Sequence, residues 1–308
     1  MIARFLMLVF CVGFVKLYAQ KKQIAITVDD LPFVNEISLQ NSVENTQKFT
    51  QTLKKNHISA IGFVNESALY RKWGEVDERI DLLNTWLLNG HSLGNHTYSH
   101  PSFNTTSLED YKIDFLKGEN VTSKLTKTHG SVLRYFRHPF LQTGSDSLKR
   151  YGFNQFLAQR GYQIAPVTID NEDYIFNKVY RDAYLKGNQA QMKRAVEAYI
   201  SYLEALFDYF EKLAFALENR PIKQVLLCHA NLINSQHFDK VIAVMQKRNY
   251  EFVTLDEALT DPIYQSTETY VGKGGFSWLH RWKLSRNVKF PHHEPSIPDD
   301  IMKLYEAK

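Results

Sequence analysis

Three short strings place reactive side chains at the ends of apolar runs: Asp29-Asp30 after Ile24 to Val28, His96-x-x-x-His100, and His229 after Gln224 to Cys228. Imidazoles four positions apart on a helical turn face one side, where they can share a cation. A carboxylate completes a two-His, one-Asp set that leaves coordination positions open, as a catalytic metal site requires. Asp30 is the natural third ligand, and Asp29 and His229 then stand as an acid/base pair. The chemistry this combination serves is metal-assisted hydrolysis. Taken singly, each string has a plain alternative. His-x-x-x-His arises by chance in a chain with 11 histidines, and Asp-Asp before Leu-Pro is ordinary turn chemistry.

Placement along the chain decides between these readings. Strands are expected at Ile24 to Val28, Ser59 to Val64, His91 to Gly94, Val132 to Phe136, Tyr162 to Ile169, Gln224 to Cys228 and Glu251 to Thr254. Helical patterns lie between them, near Val43 to Asn56, Asp77 to Asn89, Ser107 to Leu125, Ser147 to Arg160, Ala190 to Leu217 and Ser235 to Lys247, with Gly90 and Gly161 as stop signals. The alternation predicts an α/β fold, a distorted (β/α) barrel of about seven parallel strands. Asp29 and Asp30 end the first strand, His96 and His100 follow the third, Arg137 the fourth, Asp170 and Asp173 the fifth, and His229 the sixth. All fall at strand C-terminal ends, the face on which such folds assemble active sites from separate loops. Scattered solvated residues have no reason to respect that polarity.

Length and composition are consistent with this plan: 308 residues at 44% hydrophobic allow one large domain. Residues 1–19 read as a signal peptide, with Arg4, an apolar run from Phe5 to Val15 and Leu17-Tyr18-Ala19 before the cut. The expected mature chain comprises residues 20–260 with a helical insertion at about 183–220, and an aromatic-rich C-terminal extension at 261–308 packed on the barrel. A secreted or periplasmic protein follows, with no stable membrane span after removal of the leader. Without the leader only Cys228 remains, so no intrachain disulfide forms. The net charge of +4 comes without a basic cluster, which speaks against nucleic acid as a partner and is compatible with an anionic cell-wall glycan.

The chain resembles the polysaccharide deacetylase family, also known as carbohydrate esterase family 4 or the NodB-homology group. Thr27-Val28-Asp29-Asp30-Leu31-Pro32 is similar to the Thr-Phe-Asp-Asp-Gly-Pro motif, His96-Thr97-Tyr98-Ser99-His100 to His-Ser/Thr-x-x-His, and Arg137-His138-Pro139-Phe140 to Arg-x-Pro-Tyr. Asp170-Asn171-Glu172-Asp173-Tyr174 is similar to Asp-x-x-Asp-Trp, and Leu226-Leu227-Cys228-His229 to the closing Leu-x-His. The resemblance implies Asp29 as general base, Asp30, His96 and His100 as ligands of a divalent metal (zinc first, cobalt or nickel next), and His229 as general acid oriented by Asp173. It implies that Arg137 pairs with Asp29 through a bidentate fork. By the same analogy the Phe140 backbone N–H faces the oxyanion, while Asp170 and Tyr174 line the substrate side. An acetylated polysaccharide or oligosaccharide is the implied substrate.

The chain also departs from the motifs. Leu31 replaces a glycine, so the turn beside the metal takes another shape, and Tyr174 and Phe140 replace tryptophan and tyrosine. Tyr264, Tyr270, Phe276, Trp278 and Trp282 are aromatics that either pack over the barrel or stack on sugar rings. Three further readings compete with N-deacetylation. They are O-acetyl ester hydrolysis on a polysaccharide, an iron-dependent oxygenase built on two histidines and a carboxylate, and a glycan-binding module with a relic site.

Overall fold

From half-buried Lys22 and Gln23 the chain passes into a buried run from Ile24 to Asp29, and the stretch Lys22–Leu31 forms β1, the strand around which the sheet is built. The computed structural model describes residues 21–307, so the expected leader lies outside the described residues. β1 pairs in parallel with β6 (Lys223–His229) along one edge. Its other edge is shared between β7 (Tyr250–Val253) at the N-terminal half and β2 (Ile61–Val64) at the C-terminal half. From β2 the sheet continues through β3 (Ser92–Asn95), β4 (Tyr135–Phe136) and β5 (Gln163–Ile164), every pairing parallel. A parallel sheet buries both faces and needs helices to cover them.

Helices follow the strands in turn: α1 (Leu39–Lys55), α2 (Val76–Leu88), α3 (Leu108–Lys117), α4 (Thr122–Thr128), α5 (Ser147–Gln159), α6 (Asp173–Leu185), α7 (Gln189–Glu218), α8 (Leu232–Lys247) and α9 (Leu255–Ala258). α10 (Trp278–Ser285) and α11 (Asp299–Glu306) close the chain. Many starts are set by a side chain that accepts an amide of the first turn, as at Ser38, Ser107, Asp146, Asn188, Asn231 and Ser277. The stretch expected as a helical insertion holds α7, whose Tyr199, Leu203, Leu206, Phe210 and Leu213 are fully buried at helical spacing. Each such side chain contributes roughly 1.5–3 kcal/mol on burial. Trp278, Leu279, Trp282 and Ile301 from the last stretch enter the same core, so these two tryptophans pack rather than present faces to solvent.

The structure corrects two expected elements. The strand expected over Tyr162 to Ile169 breaks at Pro166, which has no N–H to offer a ladder. Only Gln163–Ile164 pairs with β4, whereas Thr168 and Ile169 each donate to the Val225 carbonyl at 3.0 Å and Leu227 donates to Ile169 at 2.9 Å. That crossing carries the chain from the β4 side to β6 and curls the sheet into a distorted barrel. The single helix expected over Ser107 to Leu125 divides at Gly118, where any Cβ would collide with the backbone of Thr97 and Tyr98.

Candidate metal centre and acid/base site

The register of β1 against β2 slips between Val28 and Leu31, and Asp30 there adopts a left-handed backbone with φ 64°. Such a bulge re-aims one side chain while its neighbour keeps the ladder. Asp29 therefore stays in register opposite His229 on β6, and Asp30 turns toward the loop after β3. Leu31, in the place of the family glycine, is fully buried over Gly62.

The His96 to His100 segment is a loop, not the helical turn that its spacing suggested, with Thr97 at φ 68° and His100 at φ 55°. Side chains replace the helical hydrogen bonds. Asn95 accepts the Thr97 N–H at 2.7 Å, and the Asp114 carboxylate accepts those of Tyr98 and Ser99, both at 2.9 Å. Asn65 donates to the His96 carbonyl at 2.6 Å. The loop brings His96 Nε2 and His100 Nε2 each to 3.5 Å from Asp30 Oδ1.

These three ligand atoms lie within 4.8 Å of one another, a spacing one cation can bridge. Asp30 Oδ1 is buried with no hydrogen-bond partner, a state that is costly unless something fills it. His96 Nδ1 lies 2.8 Å from the Arg137 carbonyl, so Nδ1–H donates there and Nε2 keeps its lone pair. Burial pushes the pKa of His96 well below the usual imidazole range and lowers that of His100, which keeps both rings in the neutral, ligating form. The residues present fit a divalent cation.

Asp29 Oδ2 stands 3.7 Å from His96 Nε2 and 3.8 Å from Arg137 Nη1. Burial raises its pKa to about 6, against the lowering charges of Arg137 and His229. The bidentate fork expected between Arg137 and Asp29 is not formed. Arg137 is fully buried, its Nη2 donates to Thr27 Oγ1 at 2.8 Å, and its guanidinium lies 4.7 Å over the Phe63 ring, which holds it at ion-pair distance from Asp29.

On the opposite side Asp173 begins α6 and is fully buried. Its Oδ1 meets His229 Nδ1 at 2.5 Å, and its Oδ2 accepts the His229 backbone N–H at 2.8 Å and the amides of Asn231 and Asn234. Burial works against a charge on His229, but the Asp173 carboxylate, with Asp30 and Asp29 behind it, raises the pKa to about 10.

A cleft of about 460 Å³ opens over these groups, lined by Asp29, Asp30, His96, His100 and His229 together with Phe140, Tyr174 and Asp170. All ten residues singled out in the sequence line this cleft or touch those that do. The Phe140 ring packs edge-on to His100 at 4.4 Å, Tyr174 faces His229 at 6.2 Å, and burial with the nearby Glu172 charge raises the Asp170 pKa to about 7. Asp114, Glu172 and Gly275 were not anticipated. Asp114 carries no spacing signal, Glu172 falls at a position the Asp170 to Tyr174 motif leaves free, and Gly275 reaches the cleft from the last stretch of the chain, far from every motif.

Residues 16–156 match the profile of the family described as polysaccharide deacetylase. A chitin deacetylase of Colletotrichum lindemuthianum is 24% identical over 241 residues, spanning 77% of this chain and 79% of the fungal one. A solved structure of the chitin deacetylase from that fungus superposes with a TM-score of 0.53 at 24% identity, covering 79% of this chain and 91% of that one. A peptidoglycan-N-acetylglucosamine deacetylase of Bacillus cereus is 26% identical over 155 residues, 50% of this chain and 47% of its own length. The structural likeness shows a shared barrel of parallel strands and helices.

Proposed function

From the premise that this chain belongs to the polysaccharide deacetylase family, we propose that it hydrolyses N-acetyl groups of amino sugars in an extracellular or cell-envelope polysaccharide. The observation that carries this reading is the Asp30, His96 and His100 cluster, flanked by Asp29 and His229 on register-paired strand ends. A divalent cation held there, zinc before cobalt or nickel, supplies Lewis acidity and brings the pKa of water to about 7.

Asp29 takes a proton from the attacking water as its oxygen adds to the acetyl carbon. Arg137, at ion-pair distance, favours the carboxylate form that this step needs. The Phe140 backbone N–H faces the oxyanion of the tetrahedral carbon, and losing one such donor typically costs about 3 kcal/mol of transition-state stabilisation. His229 holds the second proton. Asp173 occupies its Nδ1–H, so Nε2–H is the one that goes to the departing nitrogen as the C–N bond breaks. Acetate and a free amine result, and the proton on Asp29 returns to His229 through solvent. A strongly protonated acid favours amide over ester cleavage, because an amine leaves only when protonated.

Export rests on the leader pattern of residues 1–19, and among the described residues no helix is long and apolar enough to cross a membrane. The test is acetate release by the zinc-reconstituted chain without its leader, on an N-acetylglucosamine oligomer against an acetylated xylan. Release from the oligomer under anaerobic conditions is the expected result. Preference for the xylan would assign O-acetyl hydrolysis instead, and turnover that required iron and oxygen would overturn the hydrolase reading.

A further inference from the structure

Phe140 and Leu141 adopt left-handed backbones in succession, φ 55° and 52°, at the turn that borders the metal cluster. Non-glycine residues hold such conformations only where the surroundings over-determine them. Here the constraint comes from the end of the chain. Arg281, fully buried in α10, donates through Nη2 to the Leu141 carbonyl at 2.6 Å and through Nη1 to Thr143 Oγ1 at 2.8 Å. The same guanidinium donates to the Phe276 carbonyl at 3.1 Å and the Gly274 carbonyl at 3.4 Å, so one side chain ties two segments together. The rings of Tyr270, Phe276 and Trp278 enclose it within about 5 Å. Between its two attachment points Gly275 lies against the Phe140 carbonyl so closely that a Cβ would collide with that oxygen, and Gly275 also lines the cleft.

We propose that Arg281 is a positioning residue for deacetylation, fixing the direction of the Phe140 peptide, and that the C-terminal stretch is thereby one wall of the active site. This rests on the functional reading above. Arg281 is fully buried and does not line the cleft, so it acts through the turn. A lysine in its place keeps the charge but cannot span Leu141, Thr143, Phe276 and Gly274 in one plane. A turn displaced by about 1 Å loses on the order of 10²-fold in rate.

The test compares Arg281→Lys and Gly275→Ala with Trp282→Phe, a core change in the same helix that does not reach the turn. Acetate kinetics, bound zinc and amide hydrogen exchange are measured on each folded protein. Both test variants should keep one zinc per chain, lose about 10-fold to 100-fold in kcat with KM within about threefold, and exchange faster over residues 138–143. Trp282→Phe should lose thermal stability at unchanged kcat. The proposal is overturned if either test variant keeps wild-type kcat, if zinc is lost in parallel with kcat, or if Trp282→Phe reproduces the same kinetic loss. If Arg281→Lys does not fold, Gly275→Ala alone decides. Should the wild type release no acetate, the functional reading fails by itself. Exchange over 138–143 then rules on the tie: faster exchange in Gly275→Ala retains it and unchanged exchange sinks it.

Discussion

Asp173 grips His229 twice, with Oδ1 at 2.5 Å from the ring Nδ1 and Oδ2 at 2.8 Å from the backbone N–H of the same residue. The carboxylate thus fixes the ring relative to its own strand as well as its tautomer. The amides of Asn231 and Asn234 fill the remaining acceptor capacity of Oδ2. A proton on His229 Nε2 then has one direction in which to go, toward the cleft.

That pairing ties stability to pH. The His229 pKa rises from 6.5 to about 10 in the fold, so the protonated form is favoured by folding. The pair's contribution is complete below pH 6.5 and is lost as pH rises through about 10. Urea unfolding of the metal-free protein should show stability declining across that window. Asp173→Asn should flatten the decline and cost roughly 3–5 kcal/mol at the acid end, as removal of one partner of a buried pair does. Parallel curves for the two proteins would contradict the assignment.

The proposed ligand set predicts how metal binding would be lost. His96→Ala and His100→Ala should each abolish stoichiometric zinc binding and turnover while unfolding stays cooperative, measured by metal analysis and circular dichroism. One tightly held zinc per chain in His96→Ala, with near-normal turnover, would show that the cation sits elsewhere.

The two adjacent aspartates should separate cleanly. Asp29→Asn should retain zinc and lose about 10²-fold to 10⁴-fold in kcat, the usual range for a general base. Asp30→Asn should weaken zinc binding and regain activity in excess metal. In the wild type the acid limb of the pH–rate profile should lie at or below about 6, where Asp29 gains its proton and from which a bound cation shifts it down. The alkaline limb should follow His229 toward about 10. A zinc-free Asp29→Asn alongside a zinc-replete Asp30→Asn would exchange the two roles.

Away from the cleft, Glu66 is a buried carboxylate that accepts the N–H groups of Val121 and Thr122 and the Thr122 hydroxyl, at 2.7–2.8 Å. It anchors the start of α4. Glu66→Ala leaves these donors buried and unpaired, and should lower stability by roughly 2–4 kcal/mol in denaturant titrations without changing zinc content. Wild-type stability in that variant would mean that water serves those donors equally well.

Much of the site was legible because a parallel sheet turns sequence order into position. A reactive residue at the end of an apolar run lands on the rim, so the order of the chain alone puts Asp29, Asp30, His96, His100, Arg137 and His229 on one face. The loop from His96 to His100 was not legible. A four-residue spacing serves a helical turn and a side-chain-held loop equally well, and what selects the loop is Asp114, on a different element. The Arg137 fork failed for a similar reason: the Thr27 hydroxyl, two residues before Asp29, and the Phe63 ring on β2 claim the guanidinium, and the motif spacing does not show that either reaches it. Arg281 and Leu141, 140 residues apart, show the limit most plainly: no local pattern announces a partner that distant.

The central position of β1 has a consequence for the order in which this chain acquires its abilities. β1 binds β6 across 199 residues of sequence, as the Thr27 to Leu226 hydrogen bond shows, whereas β1, β2 and β3 join over much shorter loops. Contacts between distant segments form only after the entropy of closing the intervening loop has been met. A chain emerging from its N-terminus therefore brings Asp30, His96 and His100 together while the strand that bears His229 is still unmade. On the proposed roles, the side chains that would hold a cation can gather before the one that would protonate a leaving group, so the acid step would be the last to be completed by folding.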